Sequence, residues 1–185
     1  GDLNGDGHLD IVVANGRHWP EQNACFLNDG KGGFDRRQPI GDGPDRSYAV
    51  PLADLDKDGD LDLVTGNDRD PSVIFLNDAQ GHFQQSGALI PFPQPTRNAT
   101  LADLNGDQHI DIVIANRSRQ NFFYLNDGKA GFSKRAKFGT GTDSTIAVAA
   151  ADMNGDGHVD LVLANRDQQP NRVYFNNGQA QFPKS

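Results

Sequence analysis

A nine-residue segment, Asp-(Leu/Met)-Asx-x-Asp-x-x-x-Asp, occurs four times, starting at Asp2, Asp54, Asp103 and Asp152. The separations are 52, 49 and 49 residues. Self-similarity at that period marks an array of like units, each burying its apolar faces against its neighbours. A second segment follows each first one: Phe26-Leu27-Asn28-Asp29-Gly30, Phe75-Leu76-Asn77-Asp78-Ala79, Tyr124-Leu125-Asn126-Asp127-Gly128 and Tyr174-Phe175-Asn176-Asn177-Gly178. A phenylalanine then recurs at Phe34, Phe83, Phe132 and Phe182. Asn15 to Asn28 spans 13 residues, whereas Asn67 to Asn77 and Asn116 to Asn126 span 10. The first repeat therefore carries its insertion between Asn15 and Asn28. The repeats run approximately 1–46, 47–95, 96–144 and 145–185 and read as one domain.

Each unit reads as four short strands. Tyr48–Ala53, Arg97–Ala102 and Ile146–Ala151 are short, mostly apolar stretches that end at an Asp segment. The second strands, Leu9–Ala14, Leu61–Thr65, Ile110–Ala115 and Val159–Ala164, are nearly continuous in Val, Ile and Leu apart from one Asp. Such runs predict strands covered on both faces. Third strands end at the aromatic-Leu or Tyr-Phe pairs, and the Asn-Asp-Gly and Asn-Asn-Gly segments tolerate the positive φ of a turn. Fourth strands begin at the recurrent Phe. Gly and Pro supply 31 of 185 residues, against long helices. The expected fold class is all-β: β-propeller blades of four antiparallel strands, four of them in this chain. A solenoid of the same strands is the alternative.

The chain has 24 Asp and one Glu. Both are good solvating charges, so the bias needs a geometric reason, such as short-armed oxygen ligands in tight loops. Positions 1, 3, 5 and 9 of the four loops read Asp2, Asn4, Asp6, Asp10; Asp54, Asp56, Asp58, Asp62; Asp103, Asn105, Asp107, Asp111; and Asp152, Asn154, Asp156, Asp160. All are hard oxygen donors, with no thiol or imidazole, which points to Ca²⁺, about one per repeat. Position 7, held by His8, Asp60, His109 and His158, is expected to lend a backbone carbonyl. Position 6 is Gly7, Gly59 and Gly157, suited to φ > 0, with Gln108 as the departure. An EF-hand begins alike but requires Glu at position 12 and flanking helices; Val13, Thr65, Ile114 and Leu163 stand there. Asp and Asn also form turns without metal. Against that reading, 13 carboxylates crowd into four equivalent loops, which would repel one another without a cation. Four Ca²⁺ would bring the formal charge of −8 to about zero. Loop two, with four carboxylates, is expected to bind tightest, and loop three, with Gln108 at the bend, weakest.

The run Asp-Leu-Asn-Gly-Asp-Gly-His-Leu-Asp-Ile-Val followed by Phe-Leu-Asn-Asp-Gly-Lys-Gly-Gly-Phe resembles the FG-GAP/VCBS repeats, related to the blades of the integrin α-subunit propeller and found in many bacterial secreted proteins and some lectins. The likeness covers essentially the whole chain. The Phe-Gly and Gly-Ala-Pro signatures of the integrin version are not evident, so the bacterial type is the nearer likeness. The resemblance implies a propeller of seven or so blades, calcium between the first two strands, and adhesion or ligand binding in a secreted or cell-surface setting, extracellular or periplasmic. The implied partner is an extracellular protein or glycan.

No Ser-His-Asp constellation, P-loop or dinucleotide fingerprint is present, and no catalytic residue is assigned. The rival reading is the propeller domain of a secreted polysaccharide lyase or hydrolase. His8, His109 and His158 recur around the array, which favours backbone geometry and a solvated side chain over catalysis. His82 is expected to be exposed in its turn. His18, Trp19, Glu21 and Cys25 fall in the enlarged loop Arg17–Cys25, where Trp19 could stack on a sugar or cap a blade edge. Arg17, Arg69, Arg117 and Arg166 each follow the second-strand Asn, and pairing with Asp68, Asp70 and Asp167 is the favoured reading over an anion site. The net charge of −8, with no Lys/Arg run, is against nucleic acid and anionic membranes. The longest apolar run, Ile146–Ala151, is six residues, far short of the ~20 of a membrane span. One cysteine excludes an internal disulfide. Gly1-Asp2-Leu3-Asn4-Gly5 carries no secretory signal.

Phe132 and Asp152 are separated by 19 residues, but only three follow Phe182 and one precedes Asp2. The strands that would seal a four-bladed ring are therefore expected to come from elsewhere, either a second copy or further blades.

Overall fold

The computed structural model describes residues 1–16, 18–89 and 92–183, and every helix or strand element among them is a strand. Arg17 lies outside these residues, so its expected pairing does too. No helix among the described residues is long and apolar enough to cross a membrane. Two compact units, Gly1–Gln94 and Pro95–Ser185, divide the chain at the boundary between the second and third repeats.

In the first unit, β1 (Ile11–Val13), β2 (Glu21–Leu27) and β3 (Arg36–Asp45) form an antiparallel sheet in chain order. Cys25 is buried within β2, so the insertion ends before Glu21 rather than running to Cys25 as expected. The next repeat opens with β4 (Ser47–Ala49) and β5 (Leu52–Ala53), followed by β6 (Asp62–Val64), β7 (Gly66–Asn67), β8 (Val73–Asn77) and β9 (Phe83–Ala88). The expected first strand, Tyr48–Ala53, is thus broken in two. Pro51 has no N–H to give to the ladder, and its carbonyl accepts from Val64 instead, at 3.2 Å.

In the second unit the strands are longer. β10 (Thr96–Ala102), β11 (Asp111–Asn116), β12 (Asn121–Leu125) and β13 (Lys134–Phe138) form one four-stranded antiparallel sheet. β14 (Thr145–Ala151), β15 (Asp160–Asn165) and β16 (Arg172–Tyr174) form another of three strands. The second strands β6 and β11 are buried along their whole length, as their apolar runs predict. β1 is not, because it is the edge strand of its sheet.

Consecutive sheets bury their faces against each other within each unit. Leu3, Cys25, Leu27 and Ile40 of the first repeat meet Leu63, Val73 and Phe75 of the second. In the other unit Leu104, Val113 and Phe123 meet Val148, Leu161 and Leu163. Of the recurrent phenylalanines, Phe83 and Phe182 pack against these cores, and Phe182 sits edge-on to Phe123 with centroids 5.6 Å apart. Both units carry exposed apolar side chains as well, Leu9 and Ile11 in the first, Ile146, Met153 and Phe175 in the second.

A polar seam completes the joint. Asn23 Nδ2 donates to Ser47 Oγ at 2.7 Å, and Ser47 Oγ donates to Asn67 Oδ1 at 2.7 Å. The second unit repeats it: Asn121 Nδ2 donates to Thr145 Oγ1 at 3.0 Å, which donates to Asn165 Oδ1 at 2.9 Å. Asn23, Ser47, Asn67, Asn121 and Thr145 are all buried, and an unpaired polar group there would cost about 1–3 kcal/mol. Each seam therefore fixes how one repeat stacks on the next.

Candidate metal centres

The four Asp segments fold into one loop shape, and hydrogen bonds to the loop backbone explain it. The first Asp gathers amides ahead of it: Asp2 accepts from Gly5 and Gly7 N–H at 2.9 Å each, Asp54 from Lys57 and Gly59, Asp103 from Gly106 and Gln108, and Asp152 from Gly155 and Gly157. The fifth residue accepts from the seventh, His8 N–H to Asp6, Asp60 to Asp58, His109 to Asp107 and His158 to Asp156, at 2.9–3.0 Å. Turning that tightly places positions 4 and 6 in the left-handed region, including Gly7 (φ 84°), Gly59 (φ 100°), Gln108 (φ 67°) and Gly157 (φ 85°). Gln108 was the expected strained residue, but Lys57 at position 4 of loop two has φ 65° as well. Backbone strain therefore does not separate loops two and three, and carboxylate number alone distinguishes them.

Position 9 differs from the others. Asp62, Asp111 and Asp160 open the second strands and Asp10 immediately precedes one, and all four are buried. Each accepts the N–H of position 2 on one oxygen: Leu3, Leu55, Leu104 and Met153 donate at 2.8–3.0 Å. The other oxygen takes the N–H of the third-strand Asn: Asn28, Asn77, Asn126 and Asn176 donate at 2.7–3.0 Å. The same Asn side chain then bonds onward, Asn77 Nδ2 to the Leu3 carbonyl at 2.8 Å and Asn176 Nδ2 to the Leu104 carbonyl at 2.6 Å, in the preceding repeat of its unit. The recurrent Asp and Asn thus bolt the loop to the third strand and to the neighbouring loop. Burial pushes the carboxyls of Asp62 and Asp111 up to about 6 in spite of these amides.

The exposed carboxylates fall into two electrostatic classes. In loops one and four, backbone amides hold Asp6 (chiefly the His8 N–H) and Asp152 (chiefly the Gly157 N–H) below the usual carboxylate range. In the all-Asp loop two, burial and then the neighbouring Asp58 raise Asp56, and Asp60 shifts the same way for the same reasons. There one carboxylate oxygen from each of Asp54, Asp56 and Asp58 lies within 4.8 Å of the others. In loops one, three and four the Asn at position 3 donates to the Asp at position 5, from Asn4, Asn105 and Asn154 at 2.8–3.0 Å. A hollow of about 70 Å³ lies beside Asn105 and Asp107. Lys134 also lines that hollow, whereas in loop two the converging donors are all carboxylate oxygens, a set that fits a hard divalent cation.

His8 and His158 are exposed and His109 is half-buried, and each ring also lies against the glycine of the third-to-fourth strand turn. A Cβ on Gly128 or Gly178 would meet the ring of His109 or His158 at 2.5 Å, and one on Gly30 would run into His8. The repeat without a histidine, with Asp60 at that position, is the one whose turn carries Ala79 instead of Gly. This pairing was legible in the sequence as a matched exchange at two positions. Of the arginines, Arg69 lies 4.0 Å from Asp68, and Arg117 and Arg166 both reach Asp167, at 3.3 and 3.1 Å. Asp70 pairs with Arg46 instead, at 3.2 Å. His82 pairs with Asp78 in an exposed turn.

The model of the FG-GAP-like repeat matches residues 2–65, 54–114 and 103–163, each window running from one Asp loop through the next. The chain belongs to the FG-GAP-like repeat family. No curated protein is significantly similar to it. Among solved structures, BBS1N in complex with ARL6DN, from a crystal soaked with lead, aligns over 100% of this chain and 50% of its own, with TM-score 0.59 and 16% identity. The V. cholerae biofilm matrix protein Bap1 aligns over 89% of this chain and 28% of its own, with TM-score 0.50 and 24% identity. This FG-GAP-like chain spans half or less of each of those chains, and at such identity the likeness is one of fold.

Proposed function

We propose that the chain forms calcium-loaded β-propeller blades in a non-catalytic binding or adhesion module outside the cytoplasm. The carrying observation is the fourfold loop, whose backbone already holds the Asp and Asn oxygens of positions 1, 3 and 5 together. Ca²⁺ would be held by the side chains of positions 1, 3, 5 and 9, with the carbonyls of His8, Asp60, His109 and His158, as one ion per loop. Its role is to neutralise carboxylates and lock the turn. A fold shared with a biofilm matrix protein is in keeping with a place outside the cell, where calcium suffices for sites with Kd of ~10⁻⁴–10⁻³ M. The exposed Leu9, Ile11, Met153 and Phe175 favour further blades, or a second copy, completing a ring.

Native mass spectrometry of the chelated chain with added Ca²⁺ tests this reading. Stepwise uptake to about four ions is the expected result; uptake of none would refute it. Turnover of a bound polysaccharide would move the assignment to the lyase or hydrolase class.

A further inference from the structure

Away from the Asp loops, a hollow of about 730 Å³ lies between β3 and the β8–β9 hairpin. It continues into a second of about 300 Å³, and the two share Gly41, Asp42, Phe75 and Gln85. Volumes of this order are those of small-molecule sites.

The construction is specific. One wall is the Gly41-Asp42-Gly43 stretch of β3, which presents backbone and a single carboxylate. Gly41 is required there: its φ is 78°, and a Cβ would meet Phe75 Cζ at 3.2 Å. Phe75 is buried beneath, and Gln85, its exposed partner on β9, projects on the other side. Among the described residues, the side chains of Asp42, Gln84 and Gln85 have no hydrogen-bond partner in the protein.

These groups select a ligand class. The described lining holds Asp42, Asp45 and Asp78 but neither Lys nor Arg, which disfavours anions. A carboxylate accepts and carboxamides both donate and accept, matching hydroxyls that do both. The phenylalanines of the lining, Phe75 and Phe83, suit the C–H face of a sugar ring. We propose that this cleft binds a neutral oligosaccharide, with Asp42 and Gln85 on its hydroxyls and Phe75 beneath. The proposal rests on the binding-module reading and gives it a site and a ligand class.

The test is calorimetric titration of the full chain, in millimolar calcium, with neutral hexasaccharides of glucose, mannose and galactose. One of them is expected to bind, and Asp42→Ala and Gln85→Ala to weaken it by about tenfold or more without moving the melting temperature. Unchanged affinity in both variants would overturn the cleft while leaving the binding module standing. No binding of any of the three by the folded, calcium-loaded chain would overturn the proposal; the module reading is judged separately, by calcium uptake.

Discussion

At the residue scale the turn glycines and the position-7 histidines are one device. Gly128 has φ 82° and lies under the His109 ring, whose Nδ1 is buried without a partner. Gly128→Ala incurs both a left-handed penalty of roughly 1 kcal/mol and a steric one, so a loss of about 2–3 kcal/mol in urea unfolding is expected. Adding His109→Ala is expected to recover the steric share, and a double-mutant cycle reads it as a positive coupling. Zero coupling would show that ring and glycine do not meet. Ala79→Gly, opposite Asp60, is expected to change stability by less than about 1 kcal/mol.

At the element scale each Asp loop divides labour between shape and charge. Asp111 bonds the amides of Leu104 and Asn126 from inside the strand, whereas Asp107 is exposed. With chelator present, Asp111→Ala is expected to cost about 3 kcal/mol, because two buried N–H groups lose their acceptor. Asp107→Ala is expected to cost under about 1 kcal/mol under the same conditions and to show its larger effect when calcium is added. Equal losses in chelator would contradict the division.

The raised carboxyls give a pH signature. Asp62 and Asp111 titrate at about 6 when folded, against 3.8 ordinarily. The folded state therefore binds more protons than the unfolded state between those values, and metal-free stability falls as pH rises through that window. Asp6, Asp29 and Asp152, held low by backbone amides, act below it. In chelator, thermal melts are expected to move down from pH 4 to 6, and with saturating calcium that slope is expected to vanish or reverse. A metal-free melt that rises over the same interval would contradict the assignment.

Much of this is legible in the sequence. A fixed Asp spacing gave loop positions and strand order, because period and oxygen chemistry are local properties. The break at Pro51 was also local and readable, since proline cannot donate. The Asn–Ser/Thr seam was not readable: Asn67 and Asn116 stood out only as spacing markers and Asn165 not at all, and the hydroxyls that bond them lie 20 residues earlier in sequence. The cleft was invisible for the same reason. Asp42 and Gln85 belong to different repeats, and only stacking of the two sheets brings them to one hollow.

At the scale of the whole molecule, the chain has small cores of aliphatic and aromatic side chains between paired sheets and a net charge of −8. Of its 25 carboxylates, 13 occupy the ligand positions of four loops, whose own backbone amides only partly neutralise them. Calcium bound by the native state alone adds RT ln(1 + [Ca²⁺]/Kd) per site, about 2.7 kcal/mol at a hundredfold excess over Kd. For a chain of this length each kcal/mol is worth roughly 2–4 °C. The most direct test is therefore a scanning-calorimetry melt of the chelated chain repeated in rising Ca²⁺. The account predicts a melting temperature that climbs with the logarithm of calcium, by roughly 5–10 °C for even one site at that excess. A melting temperature that stays the same from chelator to millimolar Ca²⁺ would contradict it.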